Sequence, residues 1–563
     1  MIVDSRSLNP GTVLRADVCI IGGGPAGVAM ALDLERAGIP SIILESGAFE
    51  ADRKSLKLYE GDSVGLPYEF AQGHRSRYLG GNSNCWGGFC RPWDEWAFQK
   101  RDWVPNSGWP IDRAMLTPYY ARAETLLHTG SSDYDPQSWE TKAQRADVSR
   151  YRIDPSEFVD GVSVLSPPVR FGEEHREHLA ASERITVCLW ANVTNIHADP
   201  LGVHIRDVQV QTLSGVKFDV QARIFVVAAG GIENALLLLA SRDVHTNGLG
   251  NTYDLVGRYF ADHPRLRWGK IKLAATQRDN RFYDLTFNFL AGKIDQGSAR
   301  VSGYMALPQA VQRAEGLLDS HVWLRSLFFG EQSAIFSSLA RMKQRILAGQ
   351  RYGFGLGQDA LTLMRHPLST AAFTASYLAR LKSLVRETCF EGVVETDPNY
   401  NSRVMLSDER DALGMPRTRI DWRLSEQVAR TFDRTFNRLA DSLEKAGIAT
   451  VDRGDVSYVR DGWPDTLEGT WHHMGTTRMH VSPREGVVDT NSRVHGMANL
   501  YVAGSSVFPS YAANHPTMTL MALSLRLADH LVDELRRPTT LGGPSGEPTT
   551  VTPVQPRTVS SNA

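Results

Sequence analysis

Three histidines occur within ten residues in the last fifth of the chain. His472, His473 and His480 lie in the stretch WHHMGTTRMH, residues 471–480. Imidazole gains and loses a proton near neutral pH, and it also binds metal ions. The adjacent side chains of His472 and His473 point apart, and no third ligand follows at a recognisable spacing. The pattern therefore favours proton transfer, and no metal site is expected.

A second chemical pattern lies near the start of the chain, in the stretch IGGGPAG. Gly22, Gly24 and Gly27 have the G-x-G-x-x-G spacing. This spacing allows a tight turn, close approach of the backbone to a pyrophosphate, and close packing of a helix on a strand. Glu45 follows eighteen residues after Gly27, where a carboxylate accepts hydrogen bonds from ribose hydroxyls and repels a 2′-phosphate. The pattern predicts a dinucleotide site, disfavours NADP, and leaves FAD and NAD open.

A strand, a glycine turn and a helix are needed to position these residues. Residues 16–45 have that order, with an apolar β-branched run before the glycines and a second one, IPSIILES, after the helix. The same pattern returns at 223–242, and a strand and turn at 499–510 precede a long helix from Pro516. The parts of a nucleotide-binding domain are thus dispersed along the chain.

The dispersed parts predict a discontinuous domain organisation. The nucleotide-binding domain is assigned to residues 14–265 together with 461–536, and a second domain mainly to residues 266–460. In the second domain, LRWGKIKLAA and DLTFNFLAGKI suit strands of an antiparallel sheet, and a helical insertion is predicted at about 309–390. Residues 537–563 are rich in Pro, Thr, Ser and Gly and are predicted to be a disordered tail.

Composition and charge exclude several classes of protein. The chain has 563 residues, a formal net charge of -2 and no long basic cluster, so binding to nucleic acid is not expected. Its five cysteines have no repeated spacing, which argues against a disulfide framework and a zinc site. We find no secretory signal and no apolar run of about 18 residues, so we expect a cytoplasmic protein without a membrane-spanning helix.

Seven further stretches together form a pattern that is typical of one enzyme family. They are YLGGNSNCWGG, VVAAGGIENALLLL, GRYFADHP, NSRVMLSDERDALGMPR, HHMGTTRM, GVVDTNSRVHGMANLYVAGSSVFP and NHPTMTLMALSLRLADHL. In this order they resemble the glucose-methanol-choline (GMC) oxidoreductases, which are FAD enzymes that oxidise alcohols. The resemblance covers roughly residues 14–535 and is greatest to pyranose oxidase-like and bacterial sugar or polyol dehydrogenase members.

The resemblance implies an α/β fold with two parts. The first is a Rossmann-like FAD-binding domain of the GMC and p-hydroxybenzoate hydroxylase type. The second is an inserted α+β substrate domain built on an antiparallel sheet. A fold shared with a family does not by itself identify the substrate.

The resemblance also implies which histidines act. In the family, one active-site histidine lies three residues before a Gly-Thr pair. Here that pair is Gly475-Thr476, and the match is His472. A second histidine or asparagine lies just before Pro-Thr at the start of the last long helix. His515 is the match, with Asn514 as the alternative register.

Alcohol oxidation explains why the family uses such a pair. The hydroxyl loses a proton and the carbon loses a hydride, which flavin N5 accepts, and imidazole has a suitable pKa to take the proton. We expect His472 to be the general base and His515 to orient the hydroxyl, with the two roles exchanged as the alternative. Three other histidines match no role and are interpreted as structural: His263, His473 and His480.

FAD is the implied cofactor. Besides the three glycines and Glu45, the resemblance places these residues against it: Gly81, Asn84, Cys85, Trp86, Val193, Ala229, Gly504, Ser505, Pro516 and Thr517. Pro516 suits the first position of the long helix, whose N-terminus would then favour negative charge on the flavin. Non-covalent binding is favoured, and a cysteinyl bond from Cys85 to the flavin is the alternative.

The implied function is FAD-dependent oxidation of a CH–OH group in a sugar, polyol, aminocyclitol or glycoside. One alternative is an oxidase of an aromatic or aliphatic alcohol. Another is a flavin-containing lyase of the same fold, which abstracts a proton without net oxidation. The expected partners are a small-molecule alcohol as substrate and O2, a quinone or a protein as electron acceptor.

Overall fold

The computed structural model of the chain contains two large β-sheets. It describes residues 1–537 except 69–74, 131–132, 291–293, 297–298, 329–334, 336–337, 340–341, 343–355, 380–384, 455–461 and 465. The predicted disordered tail, residues 537–563, lies outside these ranges from residue 538 onward. In the described part of the chain, no helix has both the length and the apolar composition that crossing a membrane requires.

The first sheet contains the predicted β-α-β unit. Strands Val13–Ile21 and Ser41–Leu44 pair in parallel and are joined by helix Pro25–Arg36, as predicted for residues 16–45. Strand Lys217–Val227 extends the sheet on the other side of Val13–Ile21. The order across the sheet is Ile2–Asp4, Ile185–Leu189, Ser41–Leu44, Val13–Ile21, Lys217–Val227, Ile205–Gln211 and Asn192–Ala198, with Leu500–Val502 also beside Lys217–Val227.

The second sheet is antiparallel, and its two faces have different roles. Successive side chains of a strand point to opposite faces. In strand Pro264–Trp268, Leu266 and Trp268 join an apolar core with Phe436 of helix Glu426–Lys445. The order across the sheet is Glu468–Gly469, Pro264–Trp268, Val385–Val394, Ser320–Phe328, Ala299–Ala306, Val159–Leu165 and Phe89–Cys90, with Ile294–Gln296 beside Ala299–Ala306.

The second sheet takes strands from outside the range 266–460. Phe89–Cys90 and Val159–Leu165 come from the range 14–265 assigned to the nucleotide-binding domain, and Glu468–Gly469 comes from the C-terminal part of that domain. A short apolar strand does not encode which sheet it joins, because pairing is made by backbone groups of distant segments. Assignment by contiguous ranges therefore misplaces these strands.

One predicted strand is a helix. The first part of DLTFNFLAGKI forms helix Leu285–Leu290 instead of a strand. Asp284 causes the difference, because its Oδ1 accepts hydrogen bonds from the backbone N–H groups of Thr286 and Phe287 and so caps the helix. The carboxylate of Asp284 is itself held by the Ser326 hydroxyl, 2.6 Å away. The apolar alternation in this segment was therefore misleading.

The predicted helical insertion at 309–390 is only partly helical. Gln309–Glu315, Leu356–Arg365 and Pro367–Ala379 are helices. Ser320–Phe328 and Val385–Val394 are strands of the second sheet. Apolar residues occur on both faces of these strands, and this obscures the alternation from which a strand is predicted.

The remaining described elements are two smaller sheets, further α-helices and 3-10 turns. Two smaller sheets consist of Lys270–Leu273 with Ala449–Asp452, and of Arg403–Arg410, Pro416–Asp421 and Gly61–Ser63. The other α-helices are Arg53–Leu56, Thr117–Leu126, Pro136–Ala143, Phe171–Glu174, Arg176–Ala181, Glu233–Ala240 and Thr517–Arg536. The 3-10 turns are Ser5–Ser7, Lys57–Tyr59, Gly81–Asn84, Glu95–Phe98, Arg113–Leu116, Ala275–Gln277 and Ser505–Val507.

Candidate active site

A cavity of about 1250 Å³ has walls from both large sheets. Small-molecule pockets typically measure roughly 300–1,000 Å³, so this cavity has room for a dinucleotide together with a small substrate. Of the residues singled out in the sequence as site residues, all but Gly27 line it: Gly22, Gly24, Glu45, Gly81, Asn84, Cys85, Trp86, Val193, Ala229, His472, Gly504, Ser505, His515, Pro516 and Thr517.

The glycine turn forms one end of the cavity. A Cβ at Gly27 would lie 2.1 Å from the carbonyl oxygen of Gly22, so a larger residue would push helix Pro25–Arg36 off the strand. Gly22 has a φ of +117°, and a Cβ there would lie 2.5 Å from the carbonyl oxygen of Ala228. The turn therefore presents bare backbone and a helix N-terminus to the cavity, which suits a pyrophosphate.

Glu45 is fixed at the same end of the cavity. Its Oε2 accepts a hydrogen bond from the backbone N–H of Gly23 at 3.0 Å, and its Oε1 accepts one from Gly47 at 2.9 Å. Oε1 also accepts from the Ser46 hydroxyl at 3.2 Å, so the further lone pair is on Oε2. The geometry fits a carboxylate that accepts ribose hydroxyls, as the sequence predicts.

Arginines that sequence reasoning missed also line this end. Arg75 pairs with Glu233, and its guanidinium lies 3.8 Å from the ring centre of Tyr59. The guanidinium of Arg77 lies 4.9 Å from the same ring. Burial raises the pKa of Tyr59 to about 12, so the phenol is neutral. Isolated arginines form no sequence motif, and only the fold brings these two into the cavity wall.

The Cys85 thiol lies beside the cavity. Its Sγ is 3.5 Å from the carbonyl oxygen of Asn82. Burial raises its pKa, although the Ser76 hydroxyl and the Arg170 guanidinium act in the opposite direction. A thiol is a poor nucleophile compared with its thiolate. The environment therefore disfavours a covalent bond from Cys85.

His472 and His515 face each other in the cavity wall. Their ring centres are 5.3 Å apart, and the ring planes are inclined by 76°. Burial lowers the pKa of His515 to about 4. Burial, followed by the neighbouring histidines, lowers the pKa of His472 well below 6.5. Both imidazoles are therefore neutral at pH 7, and Asn514, the alternative register, does not line the cavity.

Asp262 holds the backbone that carries His472. Its Oδ1 accepts hydrogen bonds from the N–H groups of His472 at 2.8 Å and Thr470 at 3.2 Å. Its Oδ2 accepts from the N–H of Trp471 at 2.9 Å and from the Tyr68 hydroxyl at 2.8 Å. Trp471 has a φ of +60°, which is strained for a residue other than glycine. The buried carboxylate thus stabilises a strained turn, and sequence reasoning missed it.

His263 contacts His472 directly. The two Nδ1 atoms are 3.0 Å apart, and His263 is fully buried. Burial lowers the pKa of His263 to about 3. The interpretation of His263 as a packed loop residue is correct about burial but missed this contact, because the two histidines are 209 residues apart in sequence.

Helix Thr517–Arg536 directs its N-terminus at the cavity. Pro516 is its N-cap and not its first residue, so the helix begins one residue later than predicted. The reason is that the first helical hydrogen bond runs from the N–H of Leu520 to the carbonyl of Pro516, at 2.9 Å. The N–H groups of the first turn have no acceptor within the helix, so they favour negative charge in the cavity.

The other two histidines of the WHHMGTTRMH stretch make local contacts, and His473 also lines the cavity. The ring of His473 stacks on Phe260, and its carbonyl accepts a hydrogen bond from the Ser505 hydroxyl at 2.6 Å. His480 Nδ1 accepts one from the N–H of Ser482 at 3.0 Å. Within the described ranges, no group of three or more His, Cys, Asp or Glu side chains is arranged to hold a metal ion.

Comparison with known protein families gives two matches. Residues 15–54 match an FAD binding domain, and residues 398–524 match the GMC oxidoreductase model. The first match includes the glycine turn and Glu45. The second includes His472 and His515.

Several known proteins are similar over most of their length. The 6'''-hydroxyparomomycin C oxidase of Streptomyces lividus is 24% identical, over 93% of this chain and 93% of that protein. The fructose dehydrogenase large subunit of Gluconobacter japonicus is 23% identical, over 93% of this chain and 99% of that protein. Among solved structures, formate oxidase has a similar fold at 15% identity, with a TM-score of 0.52 over 94% of this chain and 99% of that chain.

The FAD-binding turn lies at one end of the cavity, and neutral imidazoles lie in the cavity wall. The chain is an FAD-dependent oxidoreductase. Its cofactor is FAD, and it acts on alcohols. More narrowly, residues 398–524 match the GMC oxidoreductases, the family that the sequence predicts. The family and the α/β fold class predicted from the sequence are thereby confirmed.

The mode of FAD attachment is directly testable. Because the Cys85 thiol is neutral, we expect acid precipitation of the purified protein to leave a colourless pellet and a yellow supernatant. The variant Cys85→Ser should keep the same ratio of flavin to protein, measured by absorbance. A yellow pellet that becomes colourless in Cys85→Ser would instead establish a cysteinyl bond.

Proposed function

We propose that the chain oxidises a CH–OH group of a sugar, polyol, aminocyclitol or glycoside, with His472 as general base and His515 as the orienting partner. The observation that carries the proposal is the placement of two neutral imidazoles, 5.3 Å apart, in the cavity that contains the FAD-binding turn. The names of relatives, among them a fructose dehydrogenase and a 2-methyl-1,2-propanediol dehydrogenase, support a substrate with several hydroxyls.

The hydrogen bonds of Thr470 support one tautomer of His472. Thr470 Oγ1 lies 3.2 Å from Oδ1 of Asp262, 3.1 Å from the carbonyl oxygen of His263 and 3.0 Å from Nδ1 of His472. The first two are acceptors, so the single hydroxyl hydrogen goes to one of them. Oγ1 then accepts from Nδ1–H of His472. This tautomer leaves a lone pair on Nε2, which suits a base.

His515 has the complementary tautomer. Its Nδ1 is buried with no hydrogen-bond partner among the described residues. A buried N–H without an acceptor is unfavourable, so the hydrogen is assigned to Nε2. The ring stacks on Phe89 at 4.8 Å, and the indole N–H of Trp93 donates to the His515 carbonyl at 3.2 Å. His515 is therefore a fixed donor, which supports its role as the orienting partner.

These tautomers define what the chain does during the reaction. Bound FAD supplies the hydride acceptor. Nε2–H of His515 donates to the substrate oxygen and orients its carbon, and Nε2 of His472 takes the hydroxyl proton. The charge that develops on His472 is shared through Nδ1–H with the neutral Thr470 Oγ1. In the described part of the chain, no carboxylate bonds to the His472 ring, so the base releases its proton readily afterwards.

The visible spectrum of the purified protein tests the proposal. Sugars, polyols, glycosides, aminocyclitols and simple aromatic and aliphatic alcohols are added without oxygen, and the flavin band is followed. We expect at least one polyhydroxy compound to bleach the band. Admitting air or a soluble quinone to the bleached enzyme then identifies the electron acceptor by the return of the colour.

Two results would contradict the proposal. Bleaching only by simple aromatic or aliphatic alcohols would show that the substrate is such an alcohol and not a polyhydroxy compound. Product formation from an alcohol with the band unchanged and no acceptor consumed would mark a flavin-containing lyase.

A further inference from the structure

The face of the second sheet that lines the cavity carries three arginines around one glutamate. Glu391 pairs across the sheet with Arg267 on one side and with Trp323 on the other. Arg265 and Arg325 lie diagonally to Glu391, two residues along the neighbouring strands. Four of these five residues, all except Arg267, line the cavity.

Glu391 is shared by the three arginines. Its side chain is 1% exposed, and its Oε2 accepts a hydrogen bond from Nε of Arg267 at 3.1 Å. Oε2 also lies 3.5 Å from Nε of Arg325. Burial favours the neutral acid, but the charges of Arg325, Arg265 and Arg267 hold the pKa of Glu391 at about 2. One ionised carboxylate therefore lies among three guanidinium groups.

Arg265 keeps hydrogen-bonding capacity in this arrangement. Its Nη2 donates to Oε2 of Glu468 at 2.6 Å, and Glu468 is 47% exposed. Its Nη1 is 3.9 Å from Oε1 of Glu391, which is too far for a hydrogen bond. Its Nε is buried with no acceptor in the described part of the chain. Nη1 therefore keeps the open N–H donors of Arg265, while the buried Nε is not accessible from the cavity.

The position of Arg265 connects it with the histidine pair. It lies two residues after His263, at the second position of strand Pro264–Trp268. Its guanidinium carbon is 6.0 Å from the ring centre of Trp471, which precedes His472. A substrate whose hydroxyl reaches His472 therefore has other groups near Arg265.

We propose that Arg265 binds an anionic group of the substrate, a carboxylate or a phosphate, while the reacting hydroxyl lies between His472 and His515. The inference rests on the proposed function and narrows it to alcohols with a negative charge, such as sugar acids or sugar phosphates. Guanidinium N–H groups match both anions in geometry and charge. A polyamine is repelled, which makes aminocyclitols the least suitable of the proposed classes.

Binding without turnover tests the anion site. The FAD-loaded protein is titrated with benzoate, with inorganic phosphate and with benzamide, which has the shape of benzoate without its charge. Changes in the flavin spectrum report binding. We expect benzoate or phosphate to bind at least roughly tenfold more tightly than benzamide, as expected for a hydrogen bond to a charged group. The tighter of the two anions identifies the group that the site accepts.

Arg265→Gln and Arg267→Gln form a matched pair of variants. Each removes one guanidinium from Glu391, but only Arg265 lines the cavity. We expect Arg265→Gln to abolish the preference for anions and Arg267→Gln to retain it. Arg265→Lys, which keeps the charge, should retain part of it. FAD content and the midpoint of thermal unfolding, measured for each variant, show that the comparison is made on folded protein.

The outcomes separate this inference from the proposed function. If neither benzoate nor phosphate binds the unmodified protein more tightly than benzamide, the anion site is overturned. An anion preference that survives in Arg265→Gln also overturns the anion site. Anion binding that depends on Arg265, combined with no bleaching by any alcohol, keeps the site and overturns the proposed oxidation instead.

Discussion

Replacement of His472 by alanine is expected to slow bleaching of the bound flavin by the substrate about a thousandfold, since general bases contribute roughly a hundredfold to ten-thousandfold. The variant removes the Nε2 lone pair to which we assign the hydroxyl proton. FAD should remain bound, because the glycine turn and Glu45 lie at a different part of the cavity. The measurement is the anaerobic bleaching rate at saturating substrate, with flavin content as a separate readout.

Three further variants make this result specific. His480→Ala is the matched control, because the His480 ring bonds to Ser482 and does not line the cavity. Its bleaching rate should be unchanged. His515→Asn should lose only about tenfold, since an amide still donates a hydrogen bond. Normal bleaching in His472→Ala would refute the proposed base, and a greater loss in His515→Ala than in His472→Ala would exchange the two roles.

Replacement of His472 by alanine should also change how the bleaching rate depends on pH. Burial and the neighbouring histidines lower the pKa of His472 well below 6.5, so the base is neutral at pH 6.5 and above. The bleaching rate of the unmodified protein should therefore be constant above that pH. It should fall in acid, as His472 gains a proton on passing through its lowered pKa. In His472→Ala, the residual rate should lose this dependence on acid.

Replacement of Asp262 by asparagine has the second largest expected effect, and it acts on both stability and rate. The carboxylate accepts hydrogen bonds from the N–H groups of Thr470, Trp471 and His472 and from the Tyr68 hydroxyl. An amide nitrogen accepts none, so at least two buried donors lose their acceptor. We expect the free energy of unfolding to fall by about 2–4 kcal/mol. Thermal or denaturant unfolding of the FAD-loaded protein measures this change.

The bleaching rate of Asp262→Asn shows whether Asp262 positions His472 or only contributes to packing. Without the carboxylate, the strained turn at Trp471 relaxes and moves the His472 ring, so bleaching should slow by more than about tenfold at unchanged FAD content. Tyr68→Phe is the control, because it removes one donor and leaves the three backbone bonds, and its rate should be nearly normal. An Asp262→Asn protein that is less stable but bleaches at the normal rate, with an unchanged pH profile, would limit Asp262 to a packing role.

The local patterns of the sequence were sufficient to predict the strand, glycine turn and helix at one end of the cavity. The glycine spacing, the flanking apolar runs and Glu45 are all within residues 16–45, where backbone geometry depends on neighbours in sequence. The strand, turn and helix therefore form where predicted. His472 and His515 were located from family motifs, and the structure places both rings in one cavity wall.

What supports and surrounds those histidines was decided by tertiary structure alone. Asp262 and His263 meet His472 across 209 or 210 positions of sequence, and Arg265 and Glu391 meet through the pairing of two antiparallel strands. Similarly, Val159–Leu165 joined the second sheet, and Ser326, 42 positions further along the chain, holds the Asp284 carboxylate that caps helix Leu285–Leu290. Strand pairing and burial depend on groups that are distant in sequence, and a single chain of letters does not record which of them come together.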